Sequence, residues 1–250
     1  MGRLSPRVLE GGGSMRREAA GRGDHPAIIW EGENGERRAL TYQELASLSA
    51  RVAAGLIELG CGRGDVIGLY MPMVPETVVA YLASVSIGAI ALPLFSGFGP
   101  QAVAERLADA GAKAVVTADH TYRHGKKISM LDVMDAAVPS IPTLRHIIVV
   151  ERDATGTVAA DGRHRLWRDV VAGNREAPAA QLPAETPAMI VYTSGTTGKP
   201  KGTVHTHCGF MTKVALDFGL ILDLQASDRL LWMSDMGWLT GPLVAVAVPL

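Results

Sequence analysis

Apolar residues fall into two kinds of run along this chain. The first kind is short and almost unbroken: Val66–Met71, Ala89–Leu94, Ala114–Thr117, His146–Val150 and Met189–Val191. Runs of this length without alternation predict strands buried on both faces. The second kind has helical spacing. Leu45, Leu48, Val52, Leu56 and Leu59 follow the capping-box pattern Thr41-Tyr42-Gln43-Glu44 and stop at Gly60 and Gly62. A second helix opens with Pro75 in its first turn, runs to about Ile87 and ends at Gly88. Further helices are expected over Gln101–Ala110, Ser129–Val138 and Gly209–Leu222. Ala27–Trp30 reads as a short strand, and the turn-rich Gly32–Glu36 after it predicts a hairpin. Arg229–Met233 is read as one more strand. Strands alternating with helices predict an α/β fold, a largely parallel sheet with helices on both faces. Ligands in such sheets sit at the carboxyl ends of strands, and three loops fall there: 95–100, 193–203 and 234–242.

The remaining segments are polar. Residues 1–24, with Gly11-Gly12-Gly13-Ser14, have linker composition and are expected to be a disordered tail, leaving 25–250 as the folded part. Tyr122–Lys127 reads as a polar loop, Ala154–Arg165 as a surface excursion and Ala177–Pro187 as an Ala/Pro-rich connector. The chain has 250 residues, 48% hydrophobic, which is enough for a buried core. A net charge of −1 argues against a general nucleic-acid or membrane-surface binder. Cys61 and Cys208 are far apart and form no Cys-x-x-Cys pair, so a reducing cytoplasm is the expected setting. The apolar runs near Val85–Phe95 and Leu243–Leu250 are too short, or too broken by Gly and Pro, to span a bilayer.

The chemistry concentrates in Tyr192–Gly202. This stretch holds three glycines, four Ser/Thr hydroxyls and two lysines, directly after the buried run Met189–Val191. Glycines let the backbone approach a ligand closely, and successive N–H groups form a nest for anionic oxygens. Hydroxyls add donors and lysine adds a mobile point charge. That combination suits a polyphosphate better than an ordinary turn. It is not a Walker A loop, because Thr193 stands five before Gly198 and Pro200 follows Lys199. This disfavours a kinase of that class. Nor does Ser194 sit in a Gly-x-Ser-x-Gly hydrolase elbow. His205, His207 and Cys208 lack a fourth partner at zinc spacing and read as structural.

The run Tyr192-Thr193-Ser194-Gly195-Thr196-Thr197-Gly198-Lys199-Pro200-Lys201-Gly202 resembles the phosphate-binding signature of the adenylate-forming superfamily. Other stretches resemble its acetyl- and short-acyl-CoA synthetase branch: Leu40–Leu45, Gly64-Asp65-Val66, Met71–Glu76, Gly88-Ala89, Phe95–Pro100 and Asp235–Gly241. The likeness covers about residues 25–250. It implies a carboxylic acid activated by ATP and Mg2+ to an acyl-adenylate, then transferred to CoA. Thr193, Ser194, Gly195, Thr196, Thr197, Gly198 and Lys201 match the ATP-phosphate loop, and Lys199 matches a more variable position. Trp238, Leu239 and Thr240 match the border of the acyl pocket, although a core aromatic at Trp238 reads equally well. Arg123 and Lys126 are similar to a basic loop that meets the CoA phosphates, although a solvated basic face reads equally well.

The family's later landmarks have no counterpart in these residues: the adenine segment, the Mg-holding Glu, the ribose-binding Asp and the late catalytic Lys. The resemblance therefore implies an incomplete N-terminal part of the large domain, inactive alone, in a small-molecule acid–thiol ligase. The alternative is a non-catalytic remnant that acts through a partner chain carrying the missing half.

Overall fold

The computed structural model describes residues 21–153, 161–173, 175–193, 199–225, 227–242 and Val244. The predicted tail up to residue 20 lies outside these. Its last residues are held by the fold, since the Gly23 carbonyl accepts from the Gln43 amide at 3.0 Å.

The chain opens with the expected hairpin, β1 (Pro26–Glu31) antiparallel to β2 (Arg37–Thr41). Helix α1 (Tyr42–Glu58) follows. Its capping box forms as the sequence predicts: the Glu44 amide donates to Thr41 Oγ1 and the Thr41 amide to the Glu44 carboxylate. Arg38 clamps the hairpin to the next helix through a bidentate pair with Glu76, at 2.6 and 2.7 Å.

The main sheet has seven strands in the order β11-β10-β4-β3-β5-β8-β9. Its members are β3 (Val66–Tyr70), β4 (Ile90–Leu94), β5 (Ala114–Ala118), β8 (His146–Val150), β9 (His164–Leu166), β10 (Pro187–Thr193) and β11 (Lys201–Thr206). Every pairing is parallel except β10 with β11. Helix α2 (Pro75–Ser86) connects β3 to β4, α3 (Pro100–Asp109) connects β4 to β5, and α4 (Met130–Ala137) precedes β8. Right-handed crossovers in opposite directions put α2 on one face and α3 with α4 on the other. Helix α1 packs on α2, and α5 (Trp167–Val171) on α1.

Burial follows from this layering. All five residues of β3 and of β5 are buried. Ten of the twelve residues of α2 are buried, so this helix has no polar face and is covered on all sides. Gly68, in the middle of β3, lets α3 press onto the sheet: a Cβ there would stand 2.4 Å from Leu107 Cδ2. Gly88 closes α2 with φ +75°, a conformation that glycine adopts without strain.

Four readings of the sequence need correction. Tyr122–Lys127 is a hairpin, β6 (His120–Arg123) with β7 (Lys126–Ser129), turning at His124 and Gly125 with φ 51° and 72°. Its strand residues are mostly polar and Ile128 is the one aliphatic among them, so apolar periodicity carried no signal there. The Ala154–Arg165 excursion ends in β9, where His164 is buried between Asp135 and Asp161; residues 154–160 lie outside the described residues. The strand expected at Arg229–Met233 does not form among the described residues: it has no ladder partner, and Leu231 and Met233 are 79% and 88% exposed. The loop expected over 193–203 is shorter, because Lys201–Thr206 pairs with β10.

Burial also acts on the tyrosines. It pushes the Tyr70 phenol up to about 12 and raises Tyr81, whose hydroxyl points at Met189 Sδ. A phenol whose pKa is higher folded than unfolded stabilises the fold fully below the unfolded value, about 10, and loses that contribution as pH rises toward the folded value. The phenol contribution to stability in urea is therefore expected to hold flat up to about pH 9 and fall between about pH 10 and 12. In an absorbance titration at 295 nm, late-ionising phenols should appear in the native protein and vanish in denaturant.

Candidate functional site

Strand β10 leaves the core at its carboxyl end. Ala188, Met189 and Val191 are buried, whereas Thr193 is exposed. Across the hairpin Thr193 faces Lys201, and Tyr192 faces Gly202. Directly opposed residues share one face of a sheet, so the side chains of Thr193 and Lys201 leave the hairpin mouth on the same face. Lys199 and Lys201 are both exposed. Gly202 leaves room for the phenol opposite, since a Cβ there would lie 3.2 Å from Tyr192 Cζ. The Thr203 hydroxyl donates to the Val191 carbonyl at 2.9 Å and braces the pair of strands. Ser194, Gly195, Thr196, Thr197 and Gly198, the centre of the expected phosphate loop, lie outside the described residues.

Tyr192 ties this hairpin to α3. Its hydroxyl donates to Asp109 Oδ2 at 2.5 Å, and burial together with that bond raises its pKa, so the phenol keeps its proton. Arg106, one turn earlier on α3, lies 5.9 Å from the Tyr192 ring centroid and 4.2 Å from that of Phe98. Phe98 belongs to the loop at the end of β4, the first of the three expected loops. Tyr70 fixes that loop by donating to the Phe98 carbonyl at 2.8 Å, and Phe95 meets Phe98 edge-on at 5.4 Å.

The third loop, 234–242, docks on the first. Asp235 accepts from the Ser96 amide at 3.2 Å, the Ser96 hydroxyl at 2.5 Å and the Gly237 amide at 2.8 Å. Gly237 then lies flat on the strand end: a Cβ there would be 2.1 Å from the Phe95 nitrogen. This places the Trp238 ring 5.9 Å from Phe95, with 58% of the residue exposed. Leu239 and Thr240 follow it, also exposed. Trp238 is thus not a core residue but one wall beside Phe95.

Arg123 closes the group from the β6–β7 hairpin. It donates to Ser96 Oγ at 3.0 Å and stacks over Phe95 at 5.3 Å. Lys126 is its cross-strand partner and is exposed. The structure therefore gathers Trp238, Arg123 and the Phe95–Gly99 loop, and links them through Arg106 to Tyr192 and the hairpin. Sequence reasoning did not single out Ser96, Arg106 or Asp109, nor the carboxylate of Asp235. Asp235-Met236-Gly237 carries an Asx-turn pattern that could have flagged the last of these. Nothing in the sequence marks Asp109 as a partner of a residue 83 positions away.

His205 packs edge-on against Phe210, His207 is buried, and burial lowers both pKa values, so both are neutral at pH 7. Among the described residues no three His, Cys, Asp or Glu side chains are grouped to hold a metal ion. No helix among them is long and apolar enough to cross a membrane.

Asp235 serves three donors, so Asp235→Ala is expected to cost about 2 kcal/mol in urea unfolding. Gly237→Ala should undock the loop, seen as a red shift of Trp238 fluorescence that Trp238→Phe abolishes.

Residues 15–250 match the family described as AMP-binding enzyme. The chain is 44% identical over 239 residues to the acetyl-coenzyme A synthetase of Rhodopirellula baltica, covering 93% of this chain and 36% of that protein. It is 41% identical to the acetyl-coenzyme A synthetase of Streptomyces coelicolor, again over 36% of its length. The chain thus spans about a third of the curated relatives it matches. The fold is similar to that of acetoacetyl-CoA synthetase from Streptomyces lividans, with a TM-score of 0.89, 30% identity, and coverage of 96% of this chain and 37% of that one. With a family match over residues 15–250 and a fold shared with a solved relative over almost its whole length, this chain belongs to the AMP-binding enzyme family.

Proposed function

We propose that the chain carries the phosphate-handling part of an AMP-forming acyl-CoA synthetase acting on a short-chain acid. The observation that carries this reading is the pairing of Thr193 with Lys201 at the mouth of a hairpin, at the carboxyl edge of a buried sheet. A hydroxyl donor and an ammonium at the two ends of a Gly/Ser/Thr loop suit the β- and γ-phosphates of ATP.

In this reaction a carboxylate attacks the α-phosphorus of ATP, giving an acyl-adenylate and pyrophosphate. The thiol of CoA then attacks the acyl carbon and AMP leaves. Charge builds on the departing pyrophosphate, and a positioned cation with hydroxyl and amide donors stabilises it. Thr193, Ser194–Gly198 and Lys201 take that role. Trp238 beside Phe95 fills space at the acyl pocket and favours a short acid. Lys126 is the exposed cation available to the CoA phosphates, while Arg123 is already engaged by Ser96. Mg2+ would supply further neutralisation on the phosphates, and no carboxylate cluster for it is present among the described residues. Two free thiols fit a cytoplasmic setting.

Because these residues span 36% of the relatives' length, nucleotide binding without turnover is expected of the 250-residue chain. A second reading, action through a partner polypeptide supplying the remainder, is favoured by the exposed apolar run Leu220, Ile221, Leu222, Leu231 and Met233.

Calorimetric titration should show weak binding of ATP and of pyrophosphate. Lys201→Ala should weaken both about tenfold, in line with the loss of one charge-assisted hydrogen bond. Unchanged binding would remove the assigned role of the hairpin. Acid-dependent ATP–pyrophosphate exchange with acetate, propionate and butyrate should be absent from the chain alone. Its appearance there would overturn the expectation of binding without turnover.

A further inference from the structure

We propose that Asp109 and Arg106, at the end of α3, are positioning residues that set the phosphate hairpin in place through Tyr192. This rests on the phosphate-binding reading of that hairpin.

The argument starts from how little backbone holds the hairpin mouth. Strand β11 is the last in the sheet order. On the inner side, β10 meets β4 at the single pair Met189 with Ala91. Beyond Met189 the hairpin is paired only with itself, through Ile190–Val204, Val191–Thr203, Tyr192–Gly202 and Thr193–Lys201. Two strands alone form a marginal structure. Their aim must come from side chains.

Tyr192 supplies the tether, one residue before Thr193 and directly across from Gly202. Its hydroxyl bonds Asp109, and its ring lies against the Arg106 guanidinium. Arg106 is itself fixed, donating to the Ala102 carbonyl at 2.8 Å and lying over the Phe98 ring at 4.2 Å. The phenol remains protonated, so the donor is permanent across physiological pH. Helix α3 starts at the far end of the Phe95–Gly99 loop and finishes under the hairpin. It is therefore a strut of fixed length between the place where Trp238 docks and the place where phosphates would bind. Displacement of Thr193 and Lys201 by about 1 Å is enough to lose much of a geometry-dependent contact.

The test uses the 250-residue chain, with inorganic pyrophosphate and ATP as probes. Asp109→Ala and Tyr192→Phe are each expected to weaken pyrophosphate binding about fivefold. The double variant should be no weaker than either single one, as for two residues acting through one bond. Hydrogen exchange of the amides in 199–204 should speed up in both variants without ligand, while exchange in β3 and β5 stays the same. Tyr192→Phe keeps the ring and its packing, so it covers the case in which Asp109→Ala fails to fold. If Lys201→Ala weakens binding but Tyr192→Phe changes neither affinity nor exchange, the positioning role is overturned and the phosphate reading stands. If the parent chain does not bind pyrophosphate, or Lys201→Ala leaves binding intact, the phosphate reading fails and the positioning role goes with it.

Discussion

A parallel sheet covered on both faces cannot place polar chemistry in its interior. An unpaired polar group there costs several times what a satisfied one returns. Everything reactive has to stand at the strand ends, and the loops that carry it must be held by something other than the ladder. Here β3, β4 and β5 are buried almost completely, so the loops after β4 and β10 receive the polar residues. A few directed bonds hold the loop after β4. Tyr70 reaches from the end of β3 to the Phe98 carbonyl, and Asp235 serves Ser96 twice.

Two arginines do work usually given to aliphatic side chains. Arg106 lies between Phe98 and Tyr192, and Arg123 lies over Phe95, whose other neighbour is Trp238. A guanidinium stacks on aromatic faces and also donates in its own plane, which an aliphatic plate cannot do. The loops are thereby packed and bonded by the same groups. Charge in this region is mostly committed to architecture, and Lys199, Lys201 and Lys126 remain exposed.

The buried half of the fold was legible because burial writes itself into composition. The strands from β3 to β5 with β8 and β10, the capping box of α1 and the glycine stop of α2 all appear in the sequence as apolar runs or caps. The β6–β7 hairpin and β9 were not legible, since their strands are built mostly from His, Thr, Arg and Lys and are specified by turn geometry and by Asp119, Asp135 and Asp161. Arg229–Met233 failed in the opposite sense: an apolar run is a strand only if a neighbour is there to pair with it. For the site, the residues belonging to motifs could be named in advance. Their supports, Ser96, Arg106 and Asp109, could not, because such contacts join positions far apart in the chain and leave no local pattern.

Gly237 carries a consequence for how this site can change over time. Its backbone rests so closely on Phe95 that any side chain would have to occupy the position of the Phe95 nitrogen. Natural variation at 237 is therefore closed, and the loop cannot creep along the strand end in small steps. Trp238, immediately after it, is more than half open to solvent, with its ring 5.9 Å from that of Phe95. One position is frozen and the next is free to exchange large for small. A single large side chain on an immobile hinge pin can therefore change size without disturbing the loop that presents it.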